Sequence, residues 1–257
     1  MSIRAKKHLG QHFLTDENIA KKIVTSLNFQ EYHHVLEVGP GMGILTKYLL
    51  EQEDQEIYLA EIDDESIAYL KQNYPILTDG HFIGDFLKTD FSFEDEDQIA
   101  VIGNFPYNIS SQILFKIIDY YKRVPEMVGM FQKEVAERTA AVPRTKEYGI
   151  LSVLVQAYYD VDYLFTVHEN VFNPPPKVKS GVIKLLRNPK SGLENHEILF
   201  KQIVKTGFNQ RRKKLSNALK SLVIPEVLKS HEFMDKRAEE LSVEDFIELT
   251  QLWKMNQ

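Results

Sequence analysis

An α/β fold, a parallel sheet with helices on both faces followed by a small all-helical domain, is what three features of this sequence predict. Short runs rich in β-branched residues alternate with helical periodicity over residues 33–132. Those runs are nearly continuous in their apolar character, as strands buried on both faces are. Beyond Leu193 only helical patterns remain.

The elements follow in order. Thr15-Asp16 offers an N-cap, after which Ile19, Ile23, Val24 and Leu27 recur at helical spacing. "HHVLEVG" (33–39) and "EIYLAEID" (56–63) are expected strands flanking a helical "GMGILTKYLLEQ". "DDESIAYLKQNY" opens on acids, which favour a helix N-terminus. "HFIGD" (81–85) and "QIAVIGN" (98–104) are the next expected strands, "SSQILFKIIDYYKR" (110–123) a helix and "EMVGMFQ" (126–132) another strand. After about residue 148 the pattern changes. "YGILSVLVQAYY" is an apolar helix, and "DVDYLFTV" and "KVKSGVIKLL" are suited to antiparallel pairing across "VFNPPPKV". Asn188-Pro189 and Ser191-Gly192 mark a linker. Residues 1–190 are therefore expected to form the first domain and 191–257 the helical one.

Composition narrows the function. At 257 residues, 43% hydrophobic and 26% charged, the chain is ordinary globular material, enough for a core domain and a smaller partner. No apolar stretch approaches the span of a bilayer. The basic start, "MSIRAKKHLGQHFL", lacks the apolar core of a secretory signal. Cysteine is absent, which excludes disulfides and thiolate metal sites. The expectation is a soluble, cytoplasmic, metal-free protein without a membrane partner. Net charge is −6, yet it divides as +3 over residues 1–30, −15 over 31–170 and +6 over 171–257. Such asymmetry points to polyanion binding at the basic segments.

Chemistry concentrates at the ends of the expected strands. "LEVGPGMGILT" (36–46) is a strand, a Gly39-x-Gly41-x-Gly43 turn and a helix. Glycines there allow a ligand to approach the backbone, and a tight turn without a ligand uses the same residues. The spacing is neither the GxGxxG of a dinucleotide fold nor a Gly-Lys-Ser/Thr phosphate loop. Glu61, at the end of the second strand, is placed to accept from both hydroxyls of a ribose. Asp85, followed by Phe86, could accept from an adenine amino group while the ring covers its face. "IGNFPYNIS" (102–110) completes the set. Pro106 stops the strand, leaving Asn104, Phe105 and Tyr107 exposed in a loop. The Asn104 side-chain oxygen and the Phe105 carbonyl can accept two hydrogen bonds from one exocyclic amino group, and Tyr107 can stack the same base. Placed dipoles of this kind stabilise charge developing on a weak nitrogen nucleophile, which suits methyl transfer from a sulfonium.

With these residues in place, the sequence resembles the S-adenosylmethionine-dependent rRNA adenine N6-dimethyltransferases. "NFPY" is similar to their Asn-Leu/Ile-Pro-Tyr motif, and "GQHFL" (10–14), "GPGMGILT" (39–46), "VFNPPPKVKSGVI" (171–183) and "FNQRRKKLSNAL" (208–219) match in order over nearly the whole chain. "FNQRRK" favours the small-subunit type over the related macrolide-resistance methylases of the large subunit. The resemblance implies a Rossmann-like class I methyltransferase domain, S-adenosyl-L-methionine as cofactor, an rRNA-binding helical domain, and small-subunit rRNA within the immature subunit as partner of a monomeric enzyme. Its product would be four methyl groups on two adjacent adenosines of the 3'-terminal hairpin. Carried over by residue, His12 and Leu14 lie over the cofactor, Gly39 and Gly41 near its methionine part, Glu61 at the ribose and Asp85 at the adenine. Asn104, beside the cofactor, holds the target base with Phe105 and Tyr107, and Phe172 faces Tyr107 across that base. Phe105 stands where Leu is usual, a bulkier side chain with the same carbonyl. Arg211, Arg212, Lys213 and Lys214 are expected to open a helix and contact rRNA phosphates. Without the resemblance, Phe172 before three prolines reads as a core anchor and the four cations as a solvated face. Two other functions stay open: a large-subunit adenine methylase of the resistance type, and a non-catalytic ribosome-assembly factor. If the four cations are a solvated face, the RNA footprint moves to Arg4, Lys6 and Lys7.

Overall fold

The computed structural model describes residues 5–6, 9–91, 98–188, 193 and 195–256. Arg4, Lys7 and linker residues 189–192 lie outside them. In chain order the elements are β1 (Phe13–Leu14), α1 (Glu17–Val24), β2 (His34–Val38), α2 (Thr46–Leu49), β3 (Glu56–Ala60), α3 (Asp64–Asn73), β4 (Ile99–Asn104), α4 (Ser110–Asp119) and β5 (Glu126–Gln132). There follow α5 (Lys133–Thr139), α6 (Ile150–Gln156), β6 (Tyr159–Val167), β7 (Phe172–Asn173), β8 (Ser180–Arg187), α7 (Glu197–Asn209), α8 (Leu215–Ala218) and α9 (Val243–Met255).

Six strands form one sheet in the order β3-β2-β4-β5-β8-β6. β2 runs parallel to both β3 and β4 (Val35 opposite Ile57, His34 opposite Ile99), and β4 parallel to β5 (Val101 opposite Met127). β8 is antiparallel to β5, with Val182 opposite Met130. The near-continuous apolar runs have the expected cause. Leu36, Ala100, Ile102 and Val128 are fully buried, because helices cover both faces. From β2 the chain goes to one side for β3 and to the other for β4. That reversal opens a crevice at the carboxyl ends of β2 and β4, the usual place for a ligand in such a sheet.

Two local expectations are corrected. Residues 81–85 do not form a strand; only a single bridge joins Phe82 to Leu59, and Gly84, at φ +71°, turns the backbone out of the extended region. The helix expected over "GMGILTKYLLEQ" is a single turn, α2, because Gly41 and Gly43 also adopt positive φ and delay its start. The N-cap is as expected, with Asp16 accepting from the amides of Asn18 and Ile19 at 2.9 and 3.0 Å.

The chain divides into two compact units, residues 1–136 with 162–187, and residues 137–161 with 188–257. The expected single cut at 190/191 left out the excursion 137–161. In the second unit α7 packs against α6, α8 and α9. The Tyr148 ring meets Phe208 at 6.0 Å and Phe208 meets Phe246 at 5.9 Å, so this inserted segment belongs to the helical core. An apolar helix carries no local sign of which core will take it.

Candidate active site

The crevice is built from the ends of β2, β3 and β4. Gly39 and Gly41, at φ +70° and +54°, carry the chain off β2. A Cβ on Gly41 would sit 2.8 Å from the Phe13 ring, whereas one on Gly39 would meet nothing nearer than 3.8 Å. Gly41 therefore cannot gain a side chain, and Gly39 keeps its open side toward the crevice. Past β3, Glu61 is buried and accepts at Oε1 from the amides of Ile62 (2.8 Å) and Asp63 (2.9 Å). Among the described residues its Oε2 has only a long contact, 3.3 Å, from the Gly41 amide. Burial raises the Glu61 pKa against the three amides that lower it. Asp85 spends Oδ1 on the Leu87 amide at 2.9 Å, and its backbone carbonyl accepts from the amides of Lys88 and Thr89. Phe86 lies buried beside it and lines the same crevice.

At the end of β4, the Asn104 Nδ2 donates to the His12 carbonyl at 2.8 Å. Its Oδ1, at the opposite corner of the amide, accepts nothing among the described residues, and neither does the Phe105 carbonyl. Two acceptors on adjacent residues are thus unspent. The Phe105 ring points away into the core, 1% exposed and 4.8 Å from Phe131. The larger side chain consequently fills space under the sheet rather than narrowing the crevice. Tyr107 is held at both ends: its hydroxyl lies 2.5 Å from the Ser180 hydroxyl, and its ring is stacked on His12 at 5.5 Å. Burial raises the Tyr107 pKa, so the phenol stays protonated near neutral pH. His12 in turn meets the Pro174 carbonyl through Nδ1 at 2.8 Å.

Of the residues expected at the site, His12, Gly39, Gly41, Glu61, Asp85, Asn104, Phe105 and Tyr107 line one crevice. Two do not. Leu14 and Phe172 pair across β1 and β7 and are 3% and 4% exposed, both in the hydrophobic core. Leu14 borders a smaller adjoining cavity with Glu37, Gly39 and Asn104. The ring against Tyr107 is His12, not Phe172. Sequence reasoning passed over three further groups. Ser180 holds the Tyr107 hydroxyl. Asp63 ties down the N-terminal segment through Lys6 at 2.6 Å and Gln11 at 3.2 Å; burial would raise its pKa, but those donors hold it below the ordinary value. Glu37 receives the Thr46 hydroxyl at 2.6 Å, and burial pushes its pKa up to about 8. An acid inside an apolar strand was the available signal for Glu37.

In the second unit the four cations are not equivalent. They occupy the turn between α7 and α8 rather than the first turn of a long helix, so most of them follow a helix C-terminus, where cations are favoured. Arg211 is engaged: it pairs with Glu239 and donates to the carbonyls of Lys146 (2.8 Å) and Thr145 (2.9 Å). Lys214 pairs with Asp235 at 2.8 Å. Arg212 and Lys213 are exposed and have no ion pair among the described residues. No group of His, Asp or Glu among the described residues is arranged to hold a metal, and no described helix is long and apolar enough to cross a membrane.

The donor set fits a nucleoside cofactor. A glycine turn open toward the crevice, a carboxylate oxygen of Glu61 with capacity left and Asp85 beside an aromatic ring line one crevice.

Comparison with known proteins converges. The family profile described as ribosomal RNA adenine dimethylase matches residues 2–254. A Cytophaga hutchinsonii protein named ribosomal RNA small subunit methyltransferase A is 55% identical over 251 residues, 97% of each chain. Its Flavobacterium johnsoniae namesake is 56% identical over 250 residues, 97% of this chain and 95% of that one. Among solved structures, a dimethyladenosine transferase from Plasmodium falciparum superposes with a TM-score of 0.80 at 25% identity, covering 95% of this chain and 98% of its own. The 23S rRNA methyltransferase ErmE shares the fold, with a TM-score of 0.70 at 22% identity over 94% of this chain and 99% of its own.

Proposed function

The chain belongs to the ribosomal RNA adenine dimethylase family, and from that premise we propose how its own residues carry out the reaction. It is a Rossmann-like class I methyltransferase that dimethylates adenine in small-subunit rRNA, a step in ribosome biogenesis. We assign the target as two adjacent adenosines of the 3'-terminal hairpin, methylated at N6 by a monomer acting in the cytoplasm. S-adenosyl-L-methionine supplies an electrophilic methyl group when bound.

Glu61 takes the ribose hydroxyls through Oε2, Asp85 and Phe86 take the adenine, and the Gly39–Gly41 backbone borders the methionine part. The target base must leave its stack to reach this crevice. The single observation that carries the reading is the pair of unspent acceptors, Asn104 Oδ1 and the Phe105 carbonyl. An adenine N6 is weakly nucleophilic because its lone pair is delocalised into the ring. Two acceptors on its protons favour a more tetrahedral nitrogen and stabilise the charge that grows during attack. No strong base is needed, since the proton can leave after transfer, and a phenol kept protonated at Tyr107 is consistent with that. Tyr107 offers the stacking face. Phe172 acts from beneath, packing under Leu14 at the head of the segment that brings Pro174 to His12 and Ser180 to Tyr107. Of the four cations at 211–214, Arg212 and Lys213 are available to rRNA phosphates, with Arg211 and Lys214 paired within their own unit.

Methyl transfer to immature small subunits, followed by mass mapping of modified nucleosides, tests this. Dimethyladenosine at two neighbouring positions near the 3' end is expected. Preferential methylation of free large-subunit rRNA would favour the resistance-type activity, and binding without transfer a non-catalytic assembly factor.

A further inference from the structure

The turn that carries Asp85 and Phe86 is fastened from below by one side chain of α4. Lys116 donates from Nζ to the Leu87 carbonyl at 3.0 Å and to the Thr89 carbonyl. Its ammonium also lies over three rings, 5.8 Å from the Phe86 centroid, 5.4 Å from Phe91 and 5.2 Å from Tyr120. These rings pack on one another, Phe86 edge-on to Phe91 at 5.7 Å and Phe91 against Tyr120 at 4.7 Å. Before Asp85 the segment is tied to β3 by the Phe82–Leu59 bridge and by the Ile83 amide, which donates to the Leu59 carbonyl at 3.0 Å, and Lys88 pairs with Asp85 Oδ2 at 3.5 Å. Gly84 sits at positive φ, and the amides of Leu87, Lys88 and Thr89 all fold back onto Asp85 itself. Beyond Asp85, a half-buried cation with two carbonyl partners ties the turn to α4. Burial lowers the Lys116 pKa, while the nearby carboxylates of Asp85, Asp90 and Asp119 act in the opposite sense.

We propose that Lys116 is a positioning residue for cofactor recognition, setting the Asp85 carboxylate and the Phe86 ring at the height that selects adenine over other purines. The proposal rests on the assignment of Asp85 to the cofactor's adenine amino group. Lys116 touches neither cofactor nor substrate; it acts through the two carbonyls it holds and the ring it lies over.

The test compares, by calorimetry on the full chain, the affinities of S-adenosylhomocysteine and S-inosylhomocysteine. The second carries a carbonyl where adenine carries its amino donor. Wild type is expected to favour the adenine form about tenfold or more, the equivalent of one hydrogen bond to a charged acceptor. Lys116→Met keeps the stem over the rings and removes the donors, and should bring the preference to about threefold or less. Its cofactor KM should rise while kcat at saturating cofactor holds, and Lys116→Arg, which keeps a cation and donors, should restore the preference. Lys116→Gln retains one donor and carries the test if the methionine variant does not fold. Asp85→Asn separates the two ideas. If it abolishes the preference and Lys116→Met does not, the role of Lys116 is overturned while the Asp85 assignment stands. If Asp85→Asn leaves the preference intact, the assignment fails and the proposal fails with it. Equal loss of affinity for both ligands in Lys116→Met would mark a merely structural lysine and also overturn it.

Discussion

Gly129 and Phe105 provide a quantitative test of how the target-base loop is supported. Gly129 lies inside β5, and the Phe105 ring occupies the space a side chain there would take. A Cβ on Gly129 would fall 2.0 Å from the Phe105 Cε2, 2.7 Å from Cδ2 and 3.0 Å from the Met127 sulfur. Carbon atoms prefer about 3.5–4.0 Å, so the ring would have to retreat by about 1.5 Å. The ring is already packed against Phe131, 4.8 Å between centroids, which limits that retreat. Gly→Ala at a backbone angle open to alanine ordinarily stabilises by ~0.4–1 kcal/mol. Here overpacking should reverse the sign and cost about 1–3 kcal/mol, lowering the melting temperature by about 2–4 °C per kcal/mol. Phe105→Leu removes the clashing ring edge, so the double variant should be more stable than Gly129→Ala alone. The two changes should couple by more than ~0.5 kcal/mol. Calorimetric melting of the four proteins measures the cycle. Methyl transfer should follow it, because the Phe105 carbonyl moves with its ring. An unchanged melting temperature for Gly129→Ala, or strict additivity, would refute the reasoning.

Other consequences concern charge and packing. Glu37 has a folded-state pKa of about 8, above the ordinary carboxyl value, so its contribution to stability is full at acid pH and is lost as pH rises toward and through 8. Glu37→Gln should flatten the pH dependence of urea unfolding in that window by up to about 1.4 kcal/mol per pH unit; identical slopes would place the proton elsewhere. Because Arg211 and Lys214 are already paired, replacing Arg212 and Lys213 with Gln should lower the slope of log RNA affinity against log salt by about 1.4–1.8. Arg211→Gln should instead lower stability, and equal slope changes from all four residues would contradict the assignment. Phe172→Ala should cost about 3–5 kcal/mol as a core truncation, read by denaturant titration; lost activity with unchanged stability would return Phe172 to the base-stacking role.

Most of the fold and much of the site were legible in the sequence. The buried strands announced themselves because two-sided burial leaves no polar residue to interrupt the run, as in Val101 and Ile102. The convergence of Gly39, Glu61 and Asn104 followed from strand ends in a parallel sheet, where the chain reversal fixes which loops meet, and Asp85 joins them from the loop after the single bridge to β3. What failed was tertiary in origin. Residues 81–85 have strand composition but only one bridge to β3 before Gly84 turns away. Phe172 carries the same local signal as anchor or stacking ring, and only its pairing with Leu14 settles its present place. The cations at 211–214 look alike in sequence, and their partners Glu239 and Asp235 come from distant residues. Lys116 is anonymous on its helix, since the carbonyls it holds belong to a turn 27 and 29 residues earlier.

The central claim is that Asn104 and the Phe105 carbonyl act on the amino group as it becomes charged. Single-turnover methyl transfer by Asn104→Ala, at saturating cofactor and small-subunit substrate, tests it most directly. The substitution also frees the His12 carbonyl, so both binding affinities are measured beside the rate. The account predicts a rate lower by about 10²–10³, the cost of removing one preorganised transition-state partner. Both affinities should stay within about threefold of wild type, because the acceptor acts mainly on the transition state. A saturated rate equal to that of the unaltered enzyme would contradict it.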